Sequence, residues 1–368
     1  MTKLDKARPF VDREPQISEL RALADASGPR LALLYGRRRI GKTFLLDYVW
    51  GENRRFYFLA ADTTADQNRR ELLRELATWS GREIDPDDYP SWRTVFRQLA
   101  EIAAERPLVV ILDEFQYLMG HEEDVVSQLN AVWDREVTGR NLTLVLCGSQ
   151  VSTMAALEAG DSPLYGRIHW REQLGPFDYF DAASMMPRSW SDRDRAVAYG
   201  IWGGTPRYLA AIEPAEPLAD AVRRTILSTR GEVHLQLENL IEQEKGIRFP
   251  GDYRAVLTAV ARGRTGITEI ADGAGLGDRR DVARRALETL EELKLVRRER
   301  NFGAGRTTAW RYRIADNAVR FWYHFVHANR SRIETGEIES VWEHAIHPGL
   351  DTYTGPIFEI MAKEGFRR

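Results

Sequence analysis

The sequence holds one cysteine, Cys147, in 368 residues, so no internal disulfide can form and a reducing compartment fits. No apolar run approaches the ~20 residues that a membrane-spanning helix needs. Met1 to Glu14 carries charges throughout and lacks the apolar centre of a secretory signal. Together these shortages predict a cytoplasmic protein with no membrane partner. Charge imbalance is also slight: 52 basic against 55 acidic residues leave a formal net charge of −3, so any basic surface suited to nucleic acid must be local. Lysine is scarce, six of the 52 basic residues, and no function is read from that bias. No internal repeat or low-complexity tract stands out. What is there, 43% hydrophobic and 29% charged residues, is the composition of a soluble globular chain long enough for two or three domains.

Leu31 to Tyr35 is a short apolar run ending at Gly36, and Lys42-Thr43 leads into the helical pattern Phe44, Leu45, Leu46, Tyr48, Val49. Phe56 to Ala60, Leu108 to Leu112 and Leu142 to Cys147 are further strand-length runs. Helical stretches at Arg70 to Trp79, Trp92 to Ala104 and Val125 to Trp133 separate them. Strands alternating with helices predict an α/β fold with a mostly parallel sheet covered on both faces. Tyr179 to Glu244 reads as helical apart from a break at Gly203-Gly204-Thr205-Pro206. From Asp252, three short helical stretches precede a hairpin-like pair, Leu295 to Arg300 and Thr308 to Ile314, around Asn301-Phe302-Gly303-Ala304-Gly305. This is the order of a winged helix-turn-helix. Asp316 to Arg368 is rich in aromatics but too short for a core of its own.

Gly36-Arg37-Arg38-Arg39-Ile40-Gly41-Lys42-Thr43 fits the eight-residue P-loop pattern. Its glycines let backbone N–H groups turn inward at phosphate oxygens, and the helix beginning at Lys42-Thr43-Phe44 presents its positive end. Lys42 reaches the β/γ oxygens, and the Thr43 hydroxyl ligates Mg²⁺. Leu108 to Leu112 ends in Asp113-Glu114, where Asp113 would hold Mg²⁺ through water and Glu114 would polarise the attacking water. Two adjacent carboxylates favour hydrolysis over mere binding. Leu142 to Cys147 ends in Gly148-Ser149-Gln150, so Ser149 or Gln150 is expected to sense the γ-phosphate or orient the water. Arg167 is a candidate arginine finger.

These residues resemble the archaeal-type ATPase family, a branch of the signal-transducing (STAND) ATPases related to AAA+ proteins. The matching segments are Phe10-Val11-Asp12-Arg13-Glu14, Tyr35 to Thr43, Leu112-Asp113-Glu114-Phe115-Gln116, Cys147-Gly148-Ser149, Pro163 to Arg167 and Gly203 to Leu209. The likeness continues into the winged helix and Tyr312 to Val326. It implies ATP as the nucleotide and a strand before Gly148 lying between the P-loop strand and the Asp113 strand. It also implies that Phe10 and Arg13 lie on one side of the adenine and Pro206, in a helical lid, on the other. The expected domains are a P-loop ATPase domain over 1–178, a helical lid over 179–248, a winged helix over 249–316 and a C-terminal segment over 317–368.

Family members commonly continue into a restriction-endonuclease-like region, and Gly355-Pro356-Ile357-Phe358-Glu359 resembles its first helix. That chemistry needs an acidic residue and a Glu-x-Lys element on neighbouring strands. The only Glu-x-Lys is Glu292-Leu293-Lys294, inside the helix before the wing, so the chain as given is expected not to cut nucleic acid.

Between Gly251 and Arg313, fourteen Arg/Lys face nine Asp/Glu, a local excess of +5. Arg279, Arg280, Arg284 and Arg285 open the expected recognition helix, with Arg297, Arg298, Arg300 and Arg306 on the wing, where phosphate contacts would be made. Glu288, Glu291 and Glu292 on the same helix favour a protein partner instead, and both readings stand. The sequence thus predicts an ATP-driven switch, with self-association open. Two alternatives are a non-hydrolysing nucleotide-dependent DNA-binding regulator and a P-loop small-molecule kinase.

Overall fold

The computed structural model describes residues 11–51, 55–119, 124–244, 247–300 and 310–366. It has two compact units, Arg13–Leu174 and a second made of residues 11–12 and 175–366. In the first, helices and strands alternate: α1 (Glu14–Asp25), β1 (Arg30–Tyr35), α2 (Lys42–Trp50), β2 (Phe56–Leu59), α3 (Ala65–Ser80), α4 (Trp92–Glu105), β3 (Leu108–Asp113), α5 (Gln116–Met119), α6 (Val125–Trp133), β4 (Leu142–Gly148), α7 (Val151–Ala155) and β5 (Trp170–Gln173). The five strands form one parallel sheet in the order β2-β3-β4-β1-β5. β4 therefore lies between β1 and β3, as the resemblance implies.

The three inner strands are apolar on both faces because both are covered. Leu33, Phe56, Phe58, Val110, Leu112 and Leu144 turn one way, into a core with Leu72 and Leu76 of α3, Trp92 and Phe96 of α4 and Leu129 of α6. Alternation sends Leu34, Asp113 and Cys147 to the opposite face, where α1 packs on α2 and β4. Ser91 starts α4 with a reciprocal cap: its hydroxyl accepts from the Thr94 N–H while the Thr94 hydroxyl accepts from the Ser91 N–H. β5 is a strand that apolar runs do not reveal. Its residues Trp170-Arg171-Glu172-Gln173 sit half-exposed at the sheet edge, so nothing requires them to be apolar.

The second unit opens with α8 (Tyr179–Ser184), α9 (Asp192–Trp202), α10 (Pro206–Ala210), α11 (Leu218–Val222) and α12 (Glu232–Glu238). The break after α9 is a packing requirement. A Cβ on Gly204 would lie 1.9 Å from the Phe177 carbonyl oxygen, and the Phe177 N–H donates to Gly204 O at 2.8 Å. Next come α13 (Pro250–Ala261), α14 (Ile267–Gly273) and α15 (Arg280–Glu292), then an antiparallel pair of β6 (Val296–Glu299) and β7 (Arg311–Ile314). The expected three helices and strand pair are present in that order. The expected turn Asn301 to Gly305 and Arg306 lie outside the described residues. Glu292 ends α15 and Lys294 stands beyond it at φ 55°, so Glu-x-Lys straddles a helix end and is not inside the helix.

The chain closes with α16 (Asn317–Phe321), α17 (Arg330–Glu334), α18 (Ile338–Val341) and α19 (Leu350–Gly365), and here a short backbone pattern occurs twice. Both α16 and α18 run into a π-helical turn, Trp322–Val326 and Trp342–Ile346, then a 3₁₀ turn, His327–Asn329 and His347–Gly349. Trp322-x-His324-x-Val326-His327 and Trp342-x-His344-x-Ile346-His347 share one pattern. In each copy the Trp and the Val or Ile are buried while the first His faces solvent. With so few matching positions, the likeness is too thin to stand out in sequence and emerges from the shared backbone.

Candidate functional site

β1 ends at Tyr35 and the loop to α2 must reverse tightly, which the backbone does with three positive-φ residues: Gly36 (φ 155°), Arg39 (φ 69°) and Gly41 (φ 95°). Gly36 has no room for a side chain, since a Cβ would lie 2.4 Å from Leu174 O. Arg39 tolerates a conformation that bulky residues rarely adopt. Ile40 is buried and anchors the loop, as is Arg37, whereas Arg38 is exposed and donates to the Tyr117 hydroxyl at 2.9 Å. Lys42, 7% exposed, donates from Nζ to Gly36 O at 2.8 Å and Arg37 O at 3.2 Å, so its ammonium lies within the loop's concavity. Phe44 is exposed on the first turn of α2.

The carboxyl ends of the neighbouring strands are laced together there. The Gly36 N–H donates to Gly148 O, Phe115 N–H to Cys147 O and Ala60 N–H to Asp113 O. Asp113, 4% exposed, accepts from the Glu114 N–H on Oδ1 at 2.9 Å and from the Thr43 hydroxyl on Oδ2, also at 2.9 Å. These are hard oxygen donors, one hydroxyl and one carboxylate side by side, and they fit Mg²⁺. Among the described residues no cluster of three or more His, Cys, Asp or Glu could hold a metal. An ion at Thr43 and Asp113 would therefore complete its shell from phosphate and water.

Glu114 sits at φ 53°, and its side chain is held from two directions. The Ser149 hydroxyl donates to Glu114 Oε2 at 2.6 Å, and the Gln116 amide donates to the same oxygen and to Ser149 Oγ at 3.3 Å. Gly148 is needed for this: a Cβ there would lie 2.4 Å from Gln116 Oε1. Of the two residues after β4, then, Ser149 meets Glu114, while the side-chain oxygen of Gln150 accepts from the Thr153 hydroxyl in the following helix. Gln116 and Tyr57 are participants that motif reading misses. Tyr57 donates to Asp113 Oδ2 at 2.8 Å, and burial followed by the Asp113 charge pushes its hydroxyl far above the usual range, keeping it a donor. Burial, with Asp113 next, likewise holds the Cys147 thiol well above its ordinary value.

Arg167 is far from this group. The His169 N–H donates to Leu31 O, and the Leu31 N–H to His169 Nδ1, which puts Arg167 at the amino-terminal end of β1. The P-loop leaves the other end, roughly 13 Å of strand away at ~3.3 Å per residue. Its guanidinium binds Asp134 through Nε at 3.1 Å and Nη2 at 2.5 Å, and Nη1 donates to Pro163 O. That pairing holds the Asp134 carboxyl below its ordinary value. Arg13 is buried at the start of α1 at φ 77°, and Pro206 opens α10 in the second unit. Phe10 lies outside the described residues.

Of the eight candidate phosphate-contacting arginines, seven lie among the described residues, and four of these have acidic partners within the second unit. Arg285 pairs with Asp281 at 2.9 Å, Arg298 with Glu291 at 3.1 Å, Arg297 with Glu299 at 3.7 Å and Arg279 with Asp252 at 3.8 Å. Arg280 and Arg284 stand exposed on α15 with no ion pair among the described residues. Arg298 and Arg300 also lie over the Trp310 ring, at 5.2 and 4.0 Å.

Residues 10–212 match the family described as an ATPase domain predominantly from Archaea, and residues 322–368 match one described as archaeal and bacterial proteins of unknown function. An uncharacterized protein of Methanocaldococcus jannaschii is 26% identical over 362 residues, 96% of this chain and 76% of that protein. A second uncharacterized protein of that organism is 29% identical over 91 residues, 25% of this chain and 88% of its own length. Among solved structures, a Walker-type ATPase of Pyrococcus abyssi is similar with a TM-score of 0.64 at 23% identity, over 87% of this chain and 99% of that one. ORC2 of Aeropyrum pernix, in its ADPNP–ADP complexes, is similar with a TM-score of 0.54 at 14% identity, over 90% and 97%. At these identities the two structures share the fold with this chain. No helix among the described residues is long and apolar enough to cross a membrane.

Proposed function

We propose, from the premise that the chain belongs to the family of ATPase domains predominantly from Archaea, that it binds ATP with Mg²⁺ at Gly36 to Thr43 and hydrolyses it. The observation that carries this is the meeting of two carboxylates with distinct partners at the carboxyl end of the sheet: Asp113 with Thr43, and Glu114 with Ser149. In this reading the loop N–H groups and Lys42 hold the phosphates. Mg²⁺ would be held by Thr43 and, through water, by Asp113, and would offset charge on the phosphoryl oxygens. Glu114 accepts a proton from the attacking water, and Ser149 and Gln116 fix the direction of its carboxylate. Phosphate release with ATP and no other acceptor separates hydrolysis from the kinase alternative.

Hydrolysis would reset a switch acting on the second unit, whose arginine-rich part we assign to DNA. Arg280 and Arg284 support this, as exposed cations at a helix start. Two phosphate contacts predict that log affinity falls against log salt with a slope of roughly −2, and with little sequence preference. Charge reversal of Arg280 and Arg284 should remove binding. Binding that persists through that change and high salt would put the contact elsewhere, and no binding to DNA at low salt would leave protein docking as the reading.

Because Arg167 stands at the far end of β1 from its own P-loop, an arginine-finger role would have to be exerted on a second copy of the chain. Arg167→Ala is then expected to slow turnover roughly tenfold with ATP affinity nearly intact, a modest loss because Asp134 competes for the guanidinium. Mixing Arg167→Ala with Lys42→Ala chains should restore phosphate release, because the Lys42→Ala chain lends its Arg167 to the intact P-loop of the other. Mixed oligomers that stay inactive would overturn the trans role.

A further inference from the structure

Asp113 Oδ2 accepts two hydroxyls, one from Thr43 on α2 and one from Tyr57 on β2. The register explains the second. Leu59 pairs with Asp113 across the sheet, so Tyr57, two residues earlier on the same face, is a diagonal neighbour whose long ring can reach up to the carboxylate. Tyr57 is in turn held. The Arg55 guanidinium lies 5.4 Å from its ring centroid, and Arg55 forms an ion pair with Asp47. Asp47 is one turn beyond Thr43 on α2, so the contacts close on themselves: Thr43 to Asp113, to Tyr57, to Arg55, to Asp47 and back through the helix. A phenol at the sheet edge thus ties the helix after the P-loop to the acidic strand, using the oxygen that Thr43 also uses.

The geometry points to Tyr57 as a positioning residue for the metal side of the nucleotide site. By donating to Asp113 Oδ2 it fixes the rotation of that carboxylate, so that Asp113 and Thr43 present a preset pair of oxygens to the Mg²⁺ that accompanies ATP. The inference rests on the assignment of Thr43 and Asp113 to that ion. Tyr57 acts through Asp113, whose Oδ2 its hydroxyl reaches, and not on phosphate or water directly. Partners that orient a metal-binding carboxylate typically change metal affinity or activity 10- to 100-fold when removed.

The test is binding of a fluorescent N-methylanthraniloyl ATP, first without divalent metal and then titrated with MgCl₂, together with the melting temperature. Tyr57→Phe keeps the ring against Arg55 and deletes the hydroxyl. It is expected to raise the Mg²⁺ concentration at half-effect roughly 10-fold, leaving metal-free nucleotide affinity and melting temperature as in the wild type. Thr43→Ala is the control for the underlying assignment and should raise it too. If Thr43→Ala shifts the Mg²⁺ titration and Tyr57→Phe does not, the inference about Tyr57 is overturned alone. If Tyr57→Phe lowers metal-free affinity and melting temperature in parallel, its role is structural and the inference is overturned. A wild type whose binding ignores Mg²⁺ overturns the metal assignment and the inference with it.

Discussion

Glu114→Gln should bind ATP with near wild-type affinity and release phosphate about 10²–10⁴-fold more slowly, the usual contribution of a positioned general base. The amide is nearly isosteric, so the Ser149 hydroxyl can still donate to the side-chain oxygen at its 2.6 Å distance. What is lost is the capacity to take a proton from water. Gln116 complicates the replacement usefully: its amide donates to Glu114, and a second amide at 114 can rotate to oppose it. A Glu114→Asp variant, which keeps the charge but draws the carboxylate back, should lie between the two. Unchanged phosphate release in Glu114→Gln would move the proton-accepting role away from this residue, and tight ATP retention with stalled turnover would fix it there.

Lys42→Ala is expected to weaken ATP binding at least 100-fold, roughly 3 kcal/mol, to the point of abolishing it at ordinary concentrations. The ammonium lies within the loop's concavity, and its removal takes away the charge that would meet the β/γ phosphates and leaves them to the backbone dipoles. Lys42 also donates to Gly36 O and Arg37 O, so its loss could loosen the loop and mimic a binding defect. A Lys42→Ala chain with an unchanged melting temperature and no ATP binding separates the two causes. Wild-type affinity for ATP in this variant would sink the P-loop assignment.

The parts of the site written as contiguous motifs are legible in the sequence. Gly36 to Thr43 and Asp113-Glu114 each sit at a strand end because an apolar run must stop where the chain leaves the sheet, and that stop is visible in the residues. Ser149 is legible for the same reason, at the end of β4. What the sequence does not show are contacts made across strands. Tyr57 looks like one more aromatic in Phe56 to Ala60, and only the parallel register with β3 brings it to Asp113. Gln116 follows the acidic pair by two residues, but its contact with Ser149 depends on β3 and β4 being neighbours and on Gly148 leaving room. Arg167 illustrates the converse. Its sequence context suggests chemistry, but it precedes β5, a strand whose polar residues leave no trace in the apolar pattern, and the parallel pairing of β5 with β1 decides which end of the sheet it occupies. The repeated π-turns around Trp322 and Trp342 are legible only in backbone conformation, since the sequence likeness between the copies is confined to a few positions.

The most direct test is phosphate release by the unmodified chain given ATP and Mg²⁺ alone, with bound nucleotide identified after quenching. Many phosphates released per chain are expected, with ADP in the bound fraction and no turnover when Mg²⁺ is removed with a chelator. A chain that saturates with Mg²⁺ and ATP yet retains the nucleotide intact, with no phosphate released, would contradict hydrolysis and leave a nucleotide-binding regulator in its place.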